Sequence, residues 1–232
     1  MGNFESRLER EGQLDAVIVT PAAGFPSHED LVHNIRAAYC RATKAQVTAG
    51  RRWYPTARKI VGAIADATGT DSARVTYAMA ALSPRNPWRW NVQDTYAFAL
   101  AASQGQPMPK ATTFGRNQRT AWTALATGSR PWTGAALKVT NFVAAIHGDK
   151  DAVVLDVWAV RAATNGAFES AGSAKRYATL ERAYWEVADG FTNLGARDLQ
   201  AIVWLVVQAE GNVTHSAGFK TGTADLVKEL LA

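Results

Sequence analysis

Apolar residues recur at intervals of three and four positions along most of this 232-residue chain, which is the spacing of one face of an α-helix. About ten segments show this pattern, and ADLVKELLA at the C-terminus is the last of them. Several end at a glycine, the residue that most easily closes a helix; these glycines are Gly69, Gly105, Gly128 and Gly148. The pattern therefore predicts an all-α fold of about ten helices.

Local signals refine this prediction. Asp71 precedes one helix as a cap, and Pro55 suits the first turn of another. The β-branched run from Val153 to Val157 has no partner strands nearby, so we interpret it as a buried turn that leads into a helix. Residues 104–115, QGQPMPKATTFG, form the longest irregular stretch. We expect a joint between two helical lobes there, inside a single domain that covers residues 1–232.

Composition limits the classes of protein and partner. Apolar residues make up 47% of the chain and charged residues 19%, as in a globular protein, and the net charge of +5 permits a polyanionic partner. Cys40 is the single cysteine, which excludes an internal disulfide, a cysteine-bound zinc and an iron–sulfur cluster. The four histidines lack metal-ligand spacing, so we assign no metal site. The single cysteine and the charged N-terminus, which carries no apolar signal core, predict a cytoplasmic protein. No run approaches the ~20 apolar residues that span a bilayer, so we expect no membrane partner.

Candidate chemistry centres on Lys138 and Asp156. Lys138 opens one helix, and an apolar run delivers Asp156 to the start of the next, 18 positions later. A helix, a turn and a second helix would fold the two residues back towards one cleft. An amine and a carboxylate suit nucleophilic or acid–base catalysis. An ordinary helix cap is the other interpretation of the aspartate.

The segment before Lys138, SRPWTGAAL, resembles the helix–hairpin–helix of DNA glycosylases, whose usual form is leucine-proline-glycine-x-glycine-x-lysine. Gly134 and Lys138 match that form, whereas Ala136 replaces the second glycine. Backbone N–H groups at such a helix start bind a DNA phosphate without reading sequence. An ordinary capped helix is the alternative. In the same superfamily an apolar run leads to an aspartate with an arginine five residues on, which Asp156 and Arg161 match, while Trp158 departs from the usual pattern.

The loop segment SPRNPWRWN resembles the glycosylase loop that enters the duplex beside an extruded base. The resemblance implies that Arg85 fills the vacated space or binds the opposite strand, and that Asn86 and Asn91 hydrogen-bond base edges. Trp88 and Trp90 offer stacking faces. A surface loop whose tryptophans pack on the core is the alternative interpretation.

Together these segments resemble the helix–hairpin–helix glycosylase superfamily, which implies a two-lobed helical fold with a cleft between the lobes. Within it the chain is most similar to the phage branch of amino acid:DNA transferases, through SPRNPW, KVTNF, LDVWAVR and LQAIVW. That branch replaces the pyrophosphate of 5-(pyrophosphoryloxymethyl)uracil in double-stranded DNA with an amino acid such as glycine. A phage-encoded chain would work in the host cytoplasm. The implied substrate- and DNA-binding residues include Asn141, Trp158, Arg161 and Gln200, although Gln200 also fits a satisfied core amide.

The resemblance leaves three functions open. In a transferase, Asp156 would accept a proton from the incoming ammonium or orient it. Lys138, with Arg85 or Arg161, would neutralise the leaving pyrophosphate, with Mg²⁺ as a further aid. In a glycosylase and AP lyase, Asp156 would stabilise the positive charge that develops on the sugar, and Lys138 would attack C1′. The third function is a non-catalytic DNA-binding helical module.

Overall fold

The computed structural model describes residues 24–132 and 136–211, and within these ranges the secondary structure consists of nine α-helices and no strand. The prediction of an all-α protein is confirmed. The helices are α1 (His28–Cys40), α2 (Lys44–Thr68), α3 (Ser72–Leu82), α4 (Trp88–Ser103), α5 (Gly115–Thr127), α6 (Leu137–His147), α7 (Val157–Ala163), α8 (Ala174–Asp189) and α9 (Ala196–Glu210). The tenth predicted helix, ADLVKELLA, lies outside the described residues.

Most predicted helix ends are confirmed. Asp71 caps α3 by accepting hydrogen bonds from the backbone N–H groups of Ala73 and Arg74. Gly128 closes α5 with a left-handed φ of 71°, a conformation that strains any residue with a Cβ. The run before α7 is irregular and buried, as predicted, from Ala152 to Leu155.

Two helix starts were predicted wrongly. Pro55 lies inside α2, which begins eleven residues earlier at Lys44. Proline has no backbone N–H to donate to the preceding turn, which is why the sequence predicts that a helix begins at this residue. Helix α4 begins at Trp88, inside the segment SPRNPWRWN that was predicted as a loop, so the loop before it is confined to residues 83–87.

The described chain divides into two compact units. Unit 1 comprises residues 24–54 and 147–211, and unit 2 comprises residues 55–132 and 136–146. The divisions fall between Tyr54 and Pro55, within α2, and between Ile146 and His147, at the end of α6. Residues 104–115, where the sequence predicted a joint, lie wholly within unit 2.

In unit 1, helix α1 packs against α7, α8 and α9. The first part of α2 packs closely against α9 in this unit, where Gly50 lies beside Ile202. The core is aliphatic and aromatic, with Leu31, Ile35, Leu180 and Trp185 almost fully buried. Burial of this apolar surface is the main source of stability for the unit.

In unit 2, helices α3, α4 and α5 pack against one another. Met79 and Leu82 of α3 are fully buried, as is Phe98 of α4, whose ring contacts Trp122 of α5 edge to face. Across both units, no helix of the described residues is long and apolar enough to cross a membrane.

Candidate functional site

Asp156 is held rigidly at the start of α7 in unit 1. Its Oδ1 accepts hydrogen bonds from the backbone N–H groups of Trp158 at 3.1 Å and Ala159 at 2.9 Å. The buried segment that leads to it is anchored by Tyr177, whose hydroxyl donates to the Val153 carbonyl at 2.8 Å. The carboxylate is half-buried. Its orientation is therefore set by the backbone on both sides of the residue.

Two buried phenols lie close enough to Asp156 to respond to its charge. Burial raises the pKa of Tyr54 well above its usual value, and the negative charge of Asp156 raises it further. The same two causes, in the same order, raise the pKa of Tyr184. Both hydroxyls therefore stay protonated at neutral pH and act as hydrogen-bond donors: Tyr184 donates to the Ala159 carbonyl at 2.9 Å.

Gln200 belongs to the same polar cluster. Its side-chain oxygen accepts a hydrogen bond from the Tyr54 hydroxyl at 2.8 Å, and the residue is buried on α9. The predicted burial of this glutamine is confirmed, and its amide oxygen is satisfied within the protein. Whether it also contacts a substrate stays a prediction.

Sequence reasoning missed an ion pair beside this cluster. Arg197 and Asp198 form it at the start of α9, at 2.8 Å, with only 8% and 14% of their side chains exposed. The Arg197 guanidinium lies 5.7 Å from the centre of the Tyr54 ring. The signal in the sequence was two adjacent charges in the first turn of an otherwise apolar helix. Such charges usually lie in solvent, so only the packing reveals their burial.

Trp158 and Arg161 form a pair on α7. The guanidinium of Arg161 lies 4.9 Å from the centre of the Trp158 ring, a cation–π contact, and it also pairs with Glu169. About a third of the Arg161 side chain is exposed. The arginine is thus oriented by two neighbours on the same unit as Asp156.

Lys138 lies in the first turn of α6 and is half-buried, and Asn141, on the same helix, is buried. These residues belong to unit 2, whereas Asp156 belongs to unit 1, so the pairing of lysine and aspartate stays a prediction. Gly134 lies outside the described residues. Among the described residues nearby, the Trp132 ring N–H donates to the Thr140 hydroxyl at 3.2 Å.

The loop of residues 83–87 in unit 2 is held by a buried carboxylate. Asp94 Oδ2 accepts hydrogen bonds from the Asn86 side-chain amide at 2.9 Å, and from the Thr112 hydroxyl at 2.6 Å and backbone N–H at 3.1 Å. Asn86 is therefore part of the loop framework. Arg85 is exposed and has a left-handed φ of 55°, which is uncommon for a residue with a side chain. Its guanidinium lies 5.9 Å from the centre of the Phe114 ring.

The tryptophans and asparagine that follow this loop lie on α4. Trp88 is half-buried and Trp90 is half exposed. Asn91 is 1% exposed, and its side-chain oxygen has no hydrogen-bond partner in the part of the chain that the structure describes. Of the predicted DNA-contacting side chains on this segment, Arg85 and Trp90 are thus the accessible ones, and Asn91 is internal.

Within residues 24–132 and 136–211, no three His, Cys, Asp or Glu side chains converge to form a metal site. The Mg²⁺ considered for the transferase stays a prediction, and no residue is assigned to it.

Comparison with known proteins places the chain in one family. DUF7178, a family of unknown function, matches residues 20–211, and the chain belongs to this family. No curated protein and no solved structure matches it. The match extends over both helical units, including Asp156 and the Arg85 loop.

Proposed function

We propose that this protein is an enzyme that modifies an extruded base in DNA, with a two-lobed fold of the helix–hairpin–helix glycosylase type. The proposed reaction transfers an amino acid such as glycine onto 5-(pyrophosphoryloxymethyl)uracil and releases pyrophosphate. The resemblance of the Lys138, Asp156 and SPRNPW segments supports this assignment. The all-helical architecture agrees with it.

The observation that carries the proposal is the placement of Asp156. A carboxylate oriented by two backbone N–H groups, at the end of a buried segment, is preorganised to accept a proton from a nearby group. Two buried neutral phenols lie close enough to respond to its charge, and the pair of Arg161 with Trp158 lies on the helix that it caps. Such pre-set geometry reduces the reorganisation that a reaction requires.

In the proposed step, the ammonium group of the amino acid gives a proton to Asp156. The amine then attacks the 5-methylene carbon of the base, and the carbon–oxygen bond to pyrophosphate breaks with its electrons on the leaving oxygen. Arg161 supplies positive charge towards this leaving group. Lys138 also supplies positive charge towards the leaving group in this scheme, and Lys138→Ala tests whether it acts as a nucleophile instead.

The test uses DNA that contains 5-hydroxymethyluracil, first treated with the kinase that pyrophosphorylates it, and then incubated with the protein and glycine. Nucleoside mass spectrometry is expected to detect a glycine-modified thymidine and a matching release of pyrophosphate. Asp156→Asn is expected to lower the rate at least about 100-fold, because the general base is lost. Asparagine also caps helices well, so the fold should persist.

Asp71→Asn is the matched control. Asp71 caps α3 through two backbone N–H groups in the same way, but it belongs to unit 2, whereas Asp156 belongs to unit 1. Equal activity of wild type and Asp156→Asn would show that the aspartate is only a cap and would defeat the proposal. A borohydride-trapped DNA adduct that disappears in Lys138→Ala would instead identify a glycosylase and lyase. DNA binding without turnover of any modified base would favour the third function, a non-catalytic DNA-binding helical module.

A further inference from the structure

The three large apolar side chains that are most exposed in the described residues all belong to unit 2, between positions 90 and 114. They are Trp90, Met108 and Phe114, at 50%, 38% and 57% exposure. Phe114 is the most exposed of them, and it stands immediately before α5, at its N-cap position. Ser, Thr, Asp or Asn normally occupies that position, because their side chains bond the free N–H groups of the helix. Phe114 makes no such bond.

Phe114 faces a second residue whose local conformation is unfavourable. Arg85, 5.9 Å from the ring centre, has the left-handed φ of 55° that glycine would adopt without strain. Residues that break local structural rules concentrate at functional sites, where another requirement outweighs stability. Here two such residues meet on an exposed surface.

The frame beneath them is rigid. Thr113, next to Phe114, is buried and donates its hydroxyl to the carbonyl of Pro84, next to Arg85, at 3.0 Å. Gln118 donates to the Thr113 carbonyl at 2.7 Å. Together with the bonds to Asp94, these contacts hold the backbone that carries Arg85 and Phe114 in place before any ligand arrives. Preorganisation of this kind lowers the entropy lost on binding.

Charge identifies the class of ligand. Between residues 72 and 148 the chain has eight Lys or Arg side chains and one carboxylate, that of Asp94, which is buried. The rest of the chain has more acidic than basic residues. Lys110, Arg116 and Arg119 are exposed and lie within five positions of Phe114. The surface around the ring is therefore suited to an anion that also offers an aromatic face.

We propose that Phe114 and Arg85 form a stacking subsite for an unpaired nucleotide of single-stranded or locally opened DNA. A base exposes its face to a protein ring only when it has left the duplex stack. The ring would stack on that base, and the arginine and its basic neighbours would bind the adjacent phosphates. The choice of DNA rests on the proposed function, and the subsite extends it by naming the form of DNA that is bound.

The experiment measures fluorescence anisotropy of a labelled, unmodified twelve-nucleotide single strand, and of its duplex, with the full chain. The single strand is expected to bind more tightly than the duplex. Its affinity should fall as salt is added. Phe114→Ser is expected to weaken binding about tenfold, while Phe114→Trp retains it, because any aromatic face stacks. Phe114→Ser should melt at or above the wild-type temperature, because serine caps α5.

Met108→Ser is the matched control, since it removes an exposed apolar side chain from the same loop and should leave affinity unchanged. Unchanged affinity in Phe114→Ser would overturn the inference, as would equal competition by a polyglutamate peptide, which would identify an acidic protein partner. Tighter binding of an RNA strand of the same length and sequence would overturn the choice of DNA. None of these readouts requires turnover, so loss of activity in the transferase assay leaves the subsite standing, and failure here leaves the Asp156 test intact.

Discussion

Replacing Asp94 with alanine should destabilise unit 2 substantially. One carboxylate oxygen accepts three hydrogen bonds there, at 2.6, 2.9 and 3.1 Å, and the residue is 9% exposed. A hydrogen bond to a charged group contributes about 1.5–3 kcal/mol. Thr112 is exposed and Asn86 half-buried, so their donors regain water when the carboxylate is removed. Three such bonds would sum to at least about 4.5 kcal/mol, and because the donors regain water we expect a smaller net loss of about 3 kcal/mol in the free energy of unfolding.

The assay is urea unfolding followed by far-ultraviolet circular dichroism, with calorimetry as a second measurement. A loss of about 3 kcal/mol corresponds to a melting temperature lower by about 10 °C for a chain of this size. Asp66→Ala is the control, since Asp66 is an exposed aspartate on α2 in the same unit, and its substitution should change stability by no more than about 0.5 kcal/mol. A loss below about 1 kcal/mol in Asp94→Ala would refute the argument that this carboxylate holds the loops together.

Three further substitutions test other parts of the structure. In Gly50→Ala the new Cβ would lie 2.4 Å from Cγ1 and 2.8 Å from Cα of Ile202, so urea unfolding should show a loss of about 3 kcal/mol. Gly62→Ala on the same helix meets nothing within 4 Å and should gain about 1 kcal/mol from helix propensity; equal effects at the two sites would contradict the packing. Because the pKa of Tyr54 is raised in the fold, its contribution to stability is complete below the unfolded-state pKa of about 10 and is lost as the pH rises from there towards the folded-state pKa. The free energy of unfolding of Tyr54→Phe should therefore fall less steeply than that of the wild type as the pH rises above about 10. An unchanged alkaline profile would exclude this residue as the cause. Arg85→Gly should stabilise the protein by about 1 kcal/mol through relief of the left-handed strain while weakening DNA binding severalfold, and a loss of stability would show that the arginine supports the loop.

Nine helices could be predicted from the sequence because their periodicity and many of their ends are local properties. The cap at Asp71 and the left-handed stop at Gly128 need only neighbours a few positions away. The start of α2 could not be predicted in this way. The turn before Pro55 is helical because Gly50 packs on α9 there and the Tyr54 hydroxyl donates a hydrogen bond to Gln200, 146 positions further along the chain. Packing with a distant helix outweighs the proline signal there.

The candidate site likewise combines residues that the sequence predicts with residues that only the packing reveals. Asp156 was predictable as a carboxylate at a helix start, because its partners are the next two backbone N–H groups after Val157. The Arg197–Asp198 pair was not, because its burial depends on what covers the first turn of α9. Phe114 was also missed, since an aromatic residue between loop and helix is normally assigned to the core, and only the structure shows that its ring is exposed.

By itself, then, the sequence determined an all-helical chain, the residues at most helix ends, and an aspartate capping α7. These features depend on backbone hydrogen bonds and side-chain spacing within a few positions. The tertiary structure alone decided which polar groups are buried and what they hold. Asp94 joins Asn86 and Thr112, 8 and 18 positions away, and thereby holds together the two loops that carry Arg85 and Phe114. That arrangement depends on how α4 packs in unit 2, which no local pattern in the chain encodes.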